Sequence, residues 1–343
     1  MHRIATLDGH SLITPAAVNR EVLSPANARS AEADRSMAEA EVALILNIAA
    51  RQIQEQRAPA QIISRLISSL HDLREKTGAL WRDLIPLVQN HPVAAYFHED
   101  PFTRWSFEKP RGYSGDAHLI DFIYGHPSTA DEIARATPLG KTLYGYTRQA
   151  PSAVAVRERR DLLTRYVDSV ADERGTGTEI LTVAAGHLRE ADRSAALHQG
   201  KIQRWVALDQ DPQSVGSTVR DFQGTAVDGS VRGLLTNAYS LGTFDLIYAA
   251  GLYDYLTDKV AVRLTQKCLS MLKPNGIFLF ANFSTEVPDD GYMETIMNWT
   301  LLLRSHADML NIVDASLEGE RAERQIFFGE NRNIVYATIK KPA

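Results

Sequence analysis

Three short segments of the C-terminal half combine small and acidic residues that could bind a nucleotide. Small residues occupy Ala184–His187, acidic residues occupy Asp209–Asp211, and Ala249–Tyr253 is again small before its tyrosine. Each segment directly follows an apolar run typical of a buried strand. A carboxylate at the end of a strand can accept both hydroxyls of a ribose, and small residues let a ligand lie against the backbone. The set predicts a site for a nucleotide-type cofactor.

The strands that would position these segments alternate with helical patterns. We predict strands over Ile180–Ala184, Arg204–Leu208, Phe244–Ala249, Ile277–Asn282, Leu310–Ser316 and Asn333–Lys340, and a helix after Thr257 that carries Val260, Leu264, Cys268, Leu269 and Leu272. This alternation indicates an α/β fold with a doubly wound, mostly parallel sheet and helices on both faces. In such a sheet, ligands bind beyond the carboxyl ends of the strands, where the strand order reverses.

The N-terminal part has apolar residues at helical spacing rather than alternating strands and helices. We therefore predict three regions along the chain. Residues 1–35 form a flexible leader, 36–150 a helical cap or substrate domain, and 151–343 the cofactor-binding domain. Pro59 suits the first turn of a helix whose one face carries apolar residues at helical spacing, namely Ile62, Ile63, Leu66, Ile67 and Leu70. The face needs a partner surface, and an independent binding module is the alternative to a cap.

The segment Lys109–Asp116 is dense in turn-forming and polar residues. Asp116 is placed to cap a helix that Gly125 would end. A loop so rich in glycine lets the backbone approach a ligand closely, and a tight turn between domains explains the same residues equally well.

Composition excludes several classes of protein. A formal charge of -5 over 343 residues gives no electrostatic footprint for nucleic acid or an anionic membrane. The single cysteine, Cys268, lies in an apolar helical pattern and is expected to be buried. The sequence lacks G-x-G-x-x-G, a phosphate loop and zinc-ligand spacing, which disfavours nicotinamide, P-loop and metal chemistry. Without a secretory signal or a long apolar run, a cytoplasmic protein is expected.

Beyond these patterns, the run Ile180–Asn282 resembles the core of class I S-adenosylmethionine-dependent methyltransferases. Leu272–Phe278 is similar to the L-K-P-G-G turn before the fifth strand of that family. More narrowly, Glu108–Asp116, Tyr248–Leu256 and the pair Trp299 and Arg304 resemble bacterial synthases of 3-hydroxy fatty acid methyl esters, such as the 3-hydroxypalmitate ester, which are quorum-sensing signals.

The resemblance, which covers roughly residues 85–340, implies a seven-stranded Rossmann-like sheet with S-adenosylmethionine as cofactor. It implies a methyltransferase that esterifies the carboxylate of a 3-hydroxy fatty acid. The partner is then a small molecule rather than a nucleic acid; the oligomeric state stays open, with a homodimer among the options.

The loop after the first strand departs from the family pattern D-x-G-x-G-x-G. Its matching positions are Thr182, Ala184, Gly186 and Leu188, so a single glycine remains. We therefore expect Arg111 and Tyr113 to take over part of the work by binding the cofactor carboxylate. The other expected cofactor contacts are Ala184, Ala185, Gly186, Asp209, Gln210, Ala250 and Gly251.

Transfer to a carboxylate requires orientation rather than a base, because a carboxylate is ionised at neutral pH. Tyrosine hydroxyls suit that task, so Tyr253, which should border the methyl group, and Tyr144 are expected to be catalytic. The third expected catalytic residue is His187, which lies at a predicted strand end. Expected substrate contacts are Tyr146, Arg189, Tyr255, Asn282, Trp299 and Arg304. The N-terminal helices, or a helix over Tyr292–Leu303, would form a groove for the acyl chain.

Two other functions fit the same residues. A nitrogen or phenol acceptor would want a base, for which His187 is the suitably placed histidine. The reduced glycine content of the first loop also fits a non-catalytic protein that keeps the fold as a ligand sensor.

Overall fold

The computed structural model describes residues 32–221, 225–319 and 322–343. Their contacts divide the chain into two units. The sheet unit comprises residues 155–286 and 302–343, and the described part of the helical unit comprises residues 32–154 and 287–301. The sequence placed 287–301 in the C-terminal domain, whereas the contacts place this segment in the helical unit. Most of the expected leader lies outside the described residues, and its last residues, 32–35, belong to the first helix.

The helices of the described residues follow one another in this order: α1 (Glu32–Gln54), α2 (Pro59–Thr77), α3 (Trp81–Gln89), α4 (Ala94–Phe97), α5 (Pro101–Glu108), α6 (Ala117–Tyr124), α7 (Ala130–Arg135), α8 (Pro138–Thr147), α9 (Pro151–Arg174), α10 (Ala195–His198), α11 (Pro212–Asp221), α12 (Val231–Leu235), α13 (Asp258–Ser270), α14 (Asp290–Glu294) and α15 (His306–Leu317). Four single 3₁₀ turns lie between them, at Gly78–Leu80, Pro127–Thr129, Ala191–Arg193 and Tyr253–Tyr255.

The core of the helical unit is built on α2. Its predicted apolar face is confirmed, with Ile62, Ile63, Leu66, Ile67, Leu70 and Leu73 all buried. Helix α14 approaches this helix so closely that a Cβ on Gly291 would lie 2.6 Å from the backbone of Leu70. The buried carboxylate of Glu294 accepts hydrogen bonds from Arg74 Nε at 2.9 Å and Trp81 Nε1 at 2.5 Å. A glycine and a paired carboxylate thus allow this short helix to be buried.

The sheet unit contains one seven-stranded sheet in the order β3-β2-β1-β4-β5-β7-β6. Its strands are β1 (Thr178–Val183), β2 (Ile202–Asp209), β3 (Thr225–Asp228), β4 (Phe244–Ala249), β5 (Leu272–Phe283), β6 (Glu323–Phe328) and β7 (Ile334–Lys340). Strands β1 to β5 pair in parallel, and β7 is antiparallel to both β5 and β6. The predicted mostly parallel, doubly wound sheet is confirmed.

The central strands are apolar because helices cover both faces of a parallel sheet. Every residue of β4 is buried, and the covering helices contribute Leu264 and Cys268 of α13 and Ile312 and Val313 of α15. The expectation of a buried cysteine is confirmed, and burial raises the pKa of its thiol.

Two expectations about the last third of the chain are wrong. The segment Leu310–Ser316, expected as a strand, lies within α15, which starts with a capping box: the N–H of Asp308 donates to the Ser305 hydroxyl, and the N–H of Ser305 donates to the Asp308 carboxylate. The helix expected over Tyr292–Leu303 ends at Glu294, and an irregular segment follows. Strands β3 and β6 were not predicted, since their residues are exposed or half-buried and their apolar runs are no longer than three residues.

The strand order reverses between β1 and β4. From β1 the chain builds β2 and β3 on one side, and then β4 and β5 on the other. The carboxyl ends of these parallel strands therefore share one edge, where all three segments singled out in the sequence lie.

Candidate functional site

The carboxylate of Asp209 links the ends of β1 and β2. Its Oδ2 accepts a hydrogen bond from the N–H of Gly186 at 2.7 Å, and its Oδ1 accepts one from the N–H of Asp211 at 2.8 Å. Burial raises the pKa of this carboxyl to about 6, although both N–H groups favour the ionised form and the charge of His187 does too. A carboxylate has about four acceptor positions. The two that these N–H groups leave can serve a ligand.

The loop after β1 keeps a left-handed backbone at three alternate residues. Ala184, Gly186 and Leu188 have φ values of 56°, 56° and 52°. Left-handed backbone costs a residue other than glycine about 1–2 kcal/mol, so glycine would suit all three positions. The loop is therefore left-handed at three positions where the resembled sequence pattern has glycine, although Ala184 and Leu188 occupy two of them.

Leu188 and Ala184, which replace the two glycines, differ in how far their side chains are buried. Leu188 is only 2% exposed, so its side chain belongs to the core of the sheet unit. Ala184 is half-buried, and so are its small neighbours Ala185 and Gly186. This stretch of backbone borders the surface without bulky side chains, and it lies next to the Asp209 carboxylate.

At the end of β4 the structure adds a residue that the sequence did not suggest. Arg159 of α9 is 6% exposed, and its Nη1 donates a hydrogen bond to the carbonyl of Ala250 at 2.8 Å. A Cβ on Gly251 would lie 3.6 Å from Nη2 of the same guanidinium. Arg159 escaped sequence analysis because α9 is rich in charged residues and nothing in its spacing sets one arginine apart.

Glu190 is the second residue that sequence analysis missed. It is 6% exposed, and its Oε1 accepts a hydrogen bond from the hydroxyl of Tyr248 at 2.5 Å. Tyr248 belongs to β4 and pairs with Thr182 of β1, so Glu190 lies where the strand order reverses. Burial raises the pKa of Glu190, while the Tyr248 hydroxyl and the charge of Arg159 favour its ionised form.

Three expected site residues come together around Arg304. Its guanidinium is 3% exposed and donates five hydrogen bonds, which reach the Tyr253 carbonyl, Asn282 Oδ1, the Leu256 carbonyl and, twice, Asp258 Oδ1. A guanidinium has five N–H groups, so Arg304 uses all of them. This arrangement favours a structural role for Arg304 over the expected substrate contact.

The two neighbours of Arg304 are similarly enclosed. Asn282 is fully buried, and its Nδ2 donates to the carbonyls of Phe283 and Leu302 at 2.8 and 2.7 Å. The hydroxyl of Tyr253 is 2.7 Å from Thr265 Oγ1, and its ring stacks on Phe280 with centroids 4.2 Å apart. Burial raises the pKa of Tyr253 well above its ordinary value. These contacts are those of core residues, and the catalytic role of Tyr253 stays a prediction.

The other candidates of the sheet unit border the same edge. His187 and Arg189 are 9% and 7% exposed, and His187 Nδ1 lies 3.4 Å from Arg189 Nη2. Tyr255 is 8% exposed, and Gln210 and Ala250 are half-buried. The contacts of these residues with substrate or cofactor stay predictions.

Five candidates belong to the helical unit. Arg111 is 7% exposed, and its Nε lies 3.7 Å from Asp116 Oδ1, which caps α6 as predicted. Tyr144 is buried and donates to the carbonyl of Phe122 at 2.7 Å. Tyr113 and Tyr146 are half-buried, and Trp299 is 4% exposed. Their roles at a cofactor or substrate stay predictions.

Within the described ranges, no group of three His, Cys, Asp or Glu side chains is arranged to hold a metal ion. The same residues include no helix with both the length and the apolar character needed to cross a bilayer.

Neither the protein-family models nor the curated proteins compared with this sequence give a match. Among solved structures, a protein of Bordetella parapertussis described as "a possible exported protein" has a TM-score of 0.55 at 18% identity, over 92% of this chain and 100% of that one. The N-methyltransferase NodS of Bradyrhizobium japonicum, solved with S-adenosyl-L-homocysteine, has a TM-score of 0.40 at 17% identity, over 65% of this chain and 100% of that one. The plantazolicin methyltransferase BpumL, also solved with S-adenosyl-L-homocysteine, has a TM-score of 0.44 at 9% identity, over 66% of this chain and 96% of that one. The first of these likenesses shows that the chain shares its fold with the Bordetella protein.

Proposed function

We propose that this protein is an S-adenosylmethionine-dependent methyltransferase that esterifies the carboxylate of a 3-hydroxy fatty acid. The observation that carries the cofactor assignment is the loop after β1, where the backbone is left-handed at residues 184, 186 and 188 and Gly186 is bonded to Asp209. A nucleoside suits this arrangement, because the half-buried Ala184–Gly186 carries no bulky side chain and lies beside a carboxylate that can accept two ribose hydroxyls.

The finer assignment, to a fatty carboxylate, rests on the sequence motifs of Glu108–Asp116 and Tyr248–Leu256. Bound S-adenosylmethionine supplies the activated methyl group and the sulfonium leaving group. The protein then has to align the acceptor and exclude water, since an ionised carboxylate needs no general base. An apolar groove would supply the binding energy for the acyl chain, at about 0.8 kcal/mol per buried methylene.

The reaction is tested by incubating the purified chain with S-adenosylmethionine and 3-hydroxypalmitic acid. We expect 3-hydroxypalmitic acid methyl ester by mass spectrometry, together with S-adenosylhomocysteine. Palmitic acid serves as the control acceptor for the 3-hydroxyl group. Cofactor turnover with another acceptor and no ester would overturn the fatty-acid assignment and leave the methyltransferase assignment standing.

Calorimetric titration with S-adenosylhomocysteine tests the cofactor separately. Binding without transfer to any acceptor would point to a ligand sensor on this fold. Absence of binding would remove the cofactor assignment altogether. Compartment and oligomeric state stay predictions, and size-exclusion chromatography with light scattering checks the homodimer.

A further inference from the structure

The guanidinium of Arg159 has unused hydrogen-bonding capacity. In the part of the chain that the structure describes, its one hydrogen bond goes to the Ala250 carbonyl. Four of its five N–H groups are therefore uncommitted. No carboxylate oxygen of the described residues lies within the 4.0 Å that defines an ion pair with Arg159. A cation that is only 6% exposed is costly to leave without an ion pair, so an anionic ligand group within hydrogen-bond distance would stabilise it.

A carboxylate of opposite charge, that of Glu190, lies within electrostatic range of Arg159 and is bonded to Tyr248 of β4. Arg159 acts electrostatically on Glu190 and on Asp254, favouring the ionised form of each against the effect of burial. Asp254 is engaged elsewhere, since its Oδ1 accepts the N–H of Phe283 at 2.6 Å. Glu190 has its Oε1 bonded to the Tyr248 hydroxyl, and a hydrogen bond from its own backbone N–H also favours the ionised form. A carboxylate has about four acceptor positions, so acceptor positions remain for a ligand. Arg159 and Glu190 thus form a separated pair of opposite charges.

The position of this pair matches one part of the proposed cofactor. Arg159 adjoins Ala250 and Gly251 at the end of β4, and Glu190 follows the loop after β1, so both lie at the reversal of strand order. Asp209, the expected ribose partner, lies on the other side of β1, at the end of β2. The cofactor's amino-acid end carries an ammonium and a carboxylate, which is the charge pattern that Glu190 and Arg159 complement.

Other residues are less suited to this task. Arg304 has no uncommitted N–H group. Thr182, which stands where the family pattern has an acid, carries no charge, and its Oγ1 accepts a hydrogen bond from Trp205 Nε1 at 2.9 Å.

We propose that Arg159 and Glu190 bind the amino-acid end of S-adenosylmethionine, Arg159 through the α-carboxylate and Glu190 through the α-ammonium group. The proposal rests on the proposed cofactor and assigns two residues to it that lie outside the glycine-loop motif. It also competes with the prediction from the sequence that Arg111 binds the carboxylate of the cofactor.

Calorimetric titration of the full chain with three nucleosides tests the pair. S-adenosylhomocysteine carries both charges, its decarboxylated analogue 5′-(3-aminopropylthio)adenosine keeps only the ammonium, and 5′-methylthioadenosine lacks both. Arg159→Gln should weaken S-adenosylhomocysteine by about ten-fold or more and change the other two by less than about two-fold. Glu190→Gln should weaken the first two nucleosides and leave 5′-methylthioadenosine unchanged.

The matched control is Arg165→Gln, which removes an exposed arginine of the same helix α9. It should leave all three affinities at the wild-type value. Arg159→Lys keeps the charge but loses the bidentate fork, so we expect a partial loss for S-adenosylhomocysteine alone. Thermal unfolding of each variant checks that it is folded. If Arg159→Gln does not fold, the test is made with Arg159→Lys.

Equal weakening of all three nucleosides by Arg159→Gln, or none, would overturn the proposal. So would a selective loss of S-adenosylhomocysteine binding in Arg111→Ala but not in Arg159→Gln. If the wild-type chain binds none of the three, the proposed function fails with it. If wild type binds all three and only the selectivity is missing, this inference fails alone.

Discussion

Two buried arginines at the same edge of the sheet behave in opposite ways. Among residues 32–221, 225–319 and 322–343, Arg304 donates five hydrogen bonds, whereas Arg159 donates one. The Arg304 cluster, with Tyr253, Asn282 and Asp258, is closed. The pair formed by Arg159 and Glu190 is open, because it keeps donors and acceptors for a ligand. Burial and charge are alike in the two, and the number of satisfied hydrogen bonds tells a structural arginine from a candidate binding residue.

The largest expected effect tests the closed cluster. Arg304→Gln should lower the free energy of unfolding by about 3–5 kcal/mol, because buried carbonyl and amide oxygens lose donors at about 1–3 kcal/mol each. Arg159→Gln should lower it by about 1 kcal/mol or less, since one hydrogen bond is lost. Urea unfolding measures both, and similar losses in the two variants would erase the distinction between the clusters.

A smaller effect is expected in the loop after β1, where Leu188 is buried in the core of the sheet unit. Leu188→Gly should lower the free energy of unfolding by about 2–4 kcal/mol, since loss of a buried leucine side chain outweighs the relief of a left-handed backbone. Leu188→Ala loses the burial and keeps the backbone cost, so it should be no more stable than Leu188→Gly. A greater stability of Leu188→Ala in urea unfolding would contradict the left-handed conformation at this residue.

The ligand-facing carboxylate should show itself in affinity and in its pH dependence. Asp209→Asn should weaken S-adenosylhomocysteine by about 10- to 100-fold at pH 7.5, because charge-assisted hydrogen bonds to the ribose are lost. Since burial raises the pKa of Asp209 to about 6, wild-type affinity should fall as the pH drops through that value and the carboxyl gains a proton. Calorimetry between pH 5 and 8 should show this fall in wild type and a flatter profile in Asp209→Asn. Identical profiles would remove Asp209 from the ribose.

The smallest effect concerns the same loop without any loss of burial. Ala184→Gly should raise the free energy of unfolding by about 0.5–1 kcal/mol, because φ is 56° there and the alanine side chain is half-buried. Cofactor affinity should be kept or improved. A destabilised Ala184→Gly protein would mean that the alanine methyl group contributes packing that its exposure does not suggest.

Sequence analysis located the strands whose carboxyl ends form the candidate site, but it missed the buried Arg159 and Glu190 at those ends. Strand β4 has the predicted bounds, and β1, β2 and β7 begin and end within two residues of them. Asp209 stands out because it directly ends a strand. Arg159 lies in a helix where apolar periodicity reports only the buried face. Which of its charged residues meets a strand end depends on how α9 packs against the sheet.

The late part of the chain shows the same limit. The segment Leu310–Ser316 is apolar enough for a strand, and its helical state depends on a cap at Ser305 that lies outside the apolar run. The pair Trp299 and Arg304, which the sequence resemblance groups together, is divided between the two units.

By itself, the sequence determined the α/β class, the parallel core strands and the loops that follow them, because periodicity and turn residues act over a few positions. The tertiary structure decided which buried arginine is saturated and which is not, because the partners of both come from distant strands and loops. It also decided that the first loop stays left-handed at Ala184 and Leu188. An L-residue can adopt that backbone for about 1–2 kcal/mol, which the contacts of the surrounding fold offset and the residue type alone does not reveal.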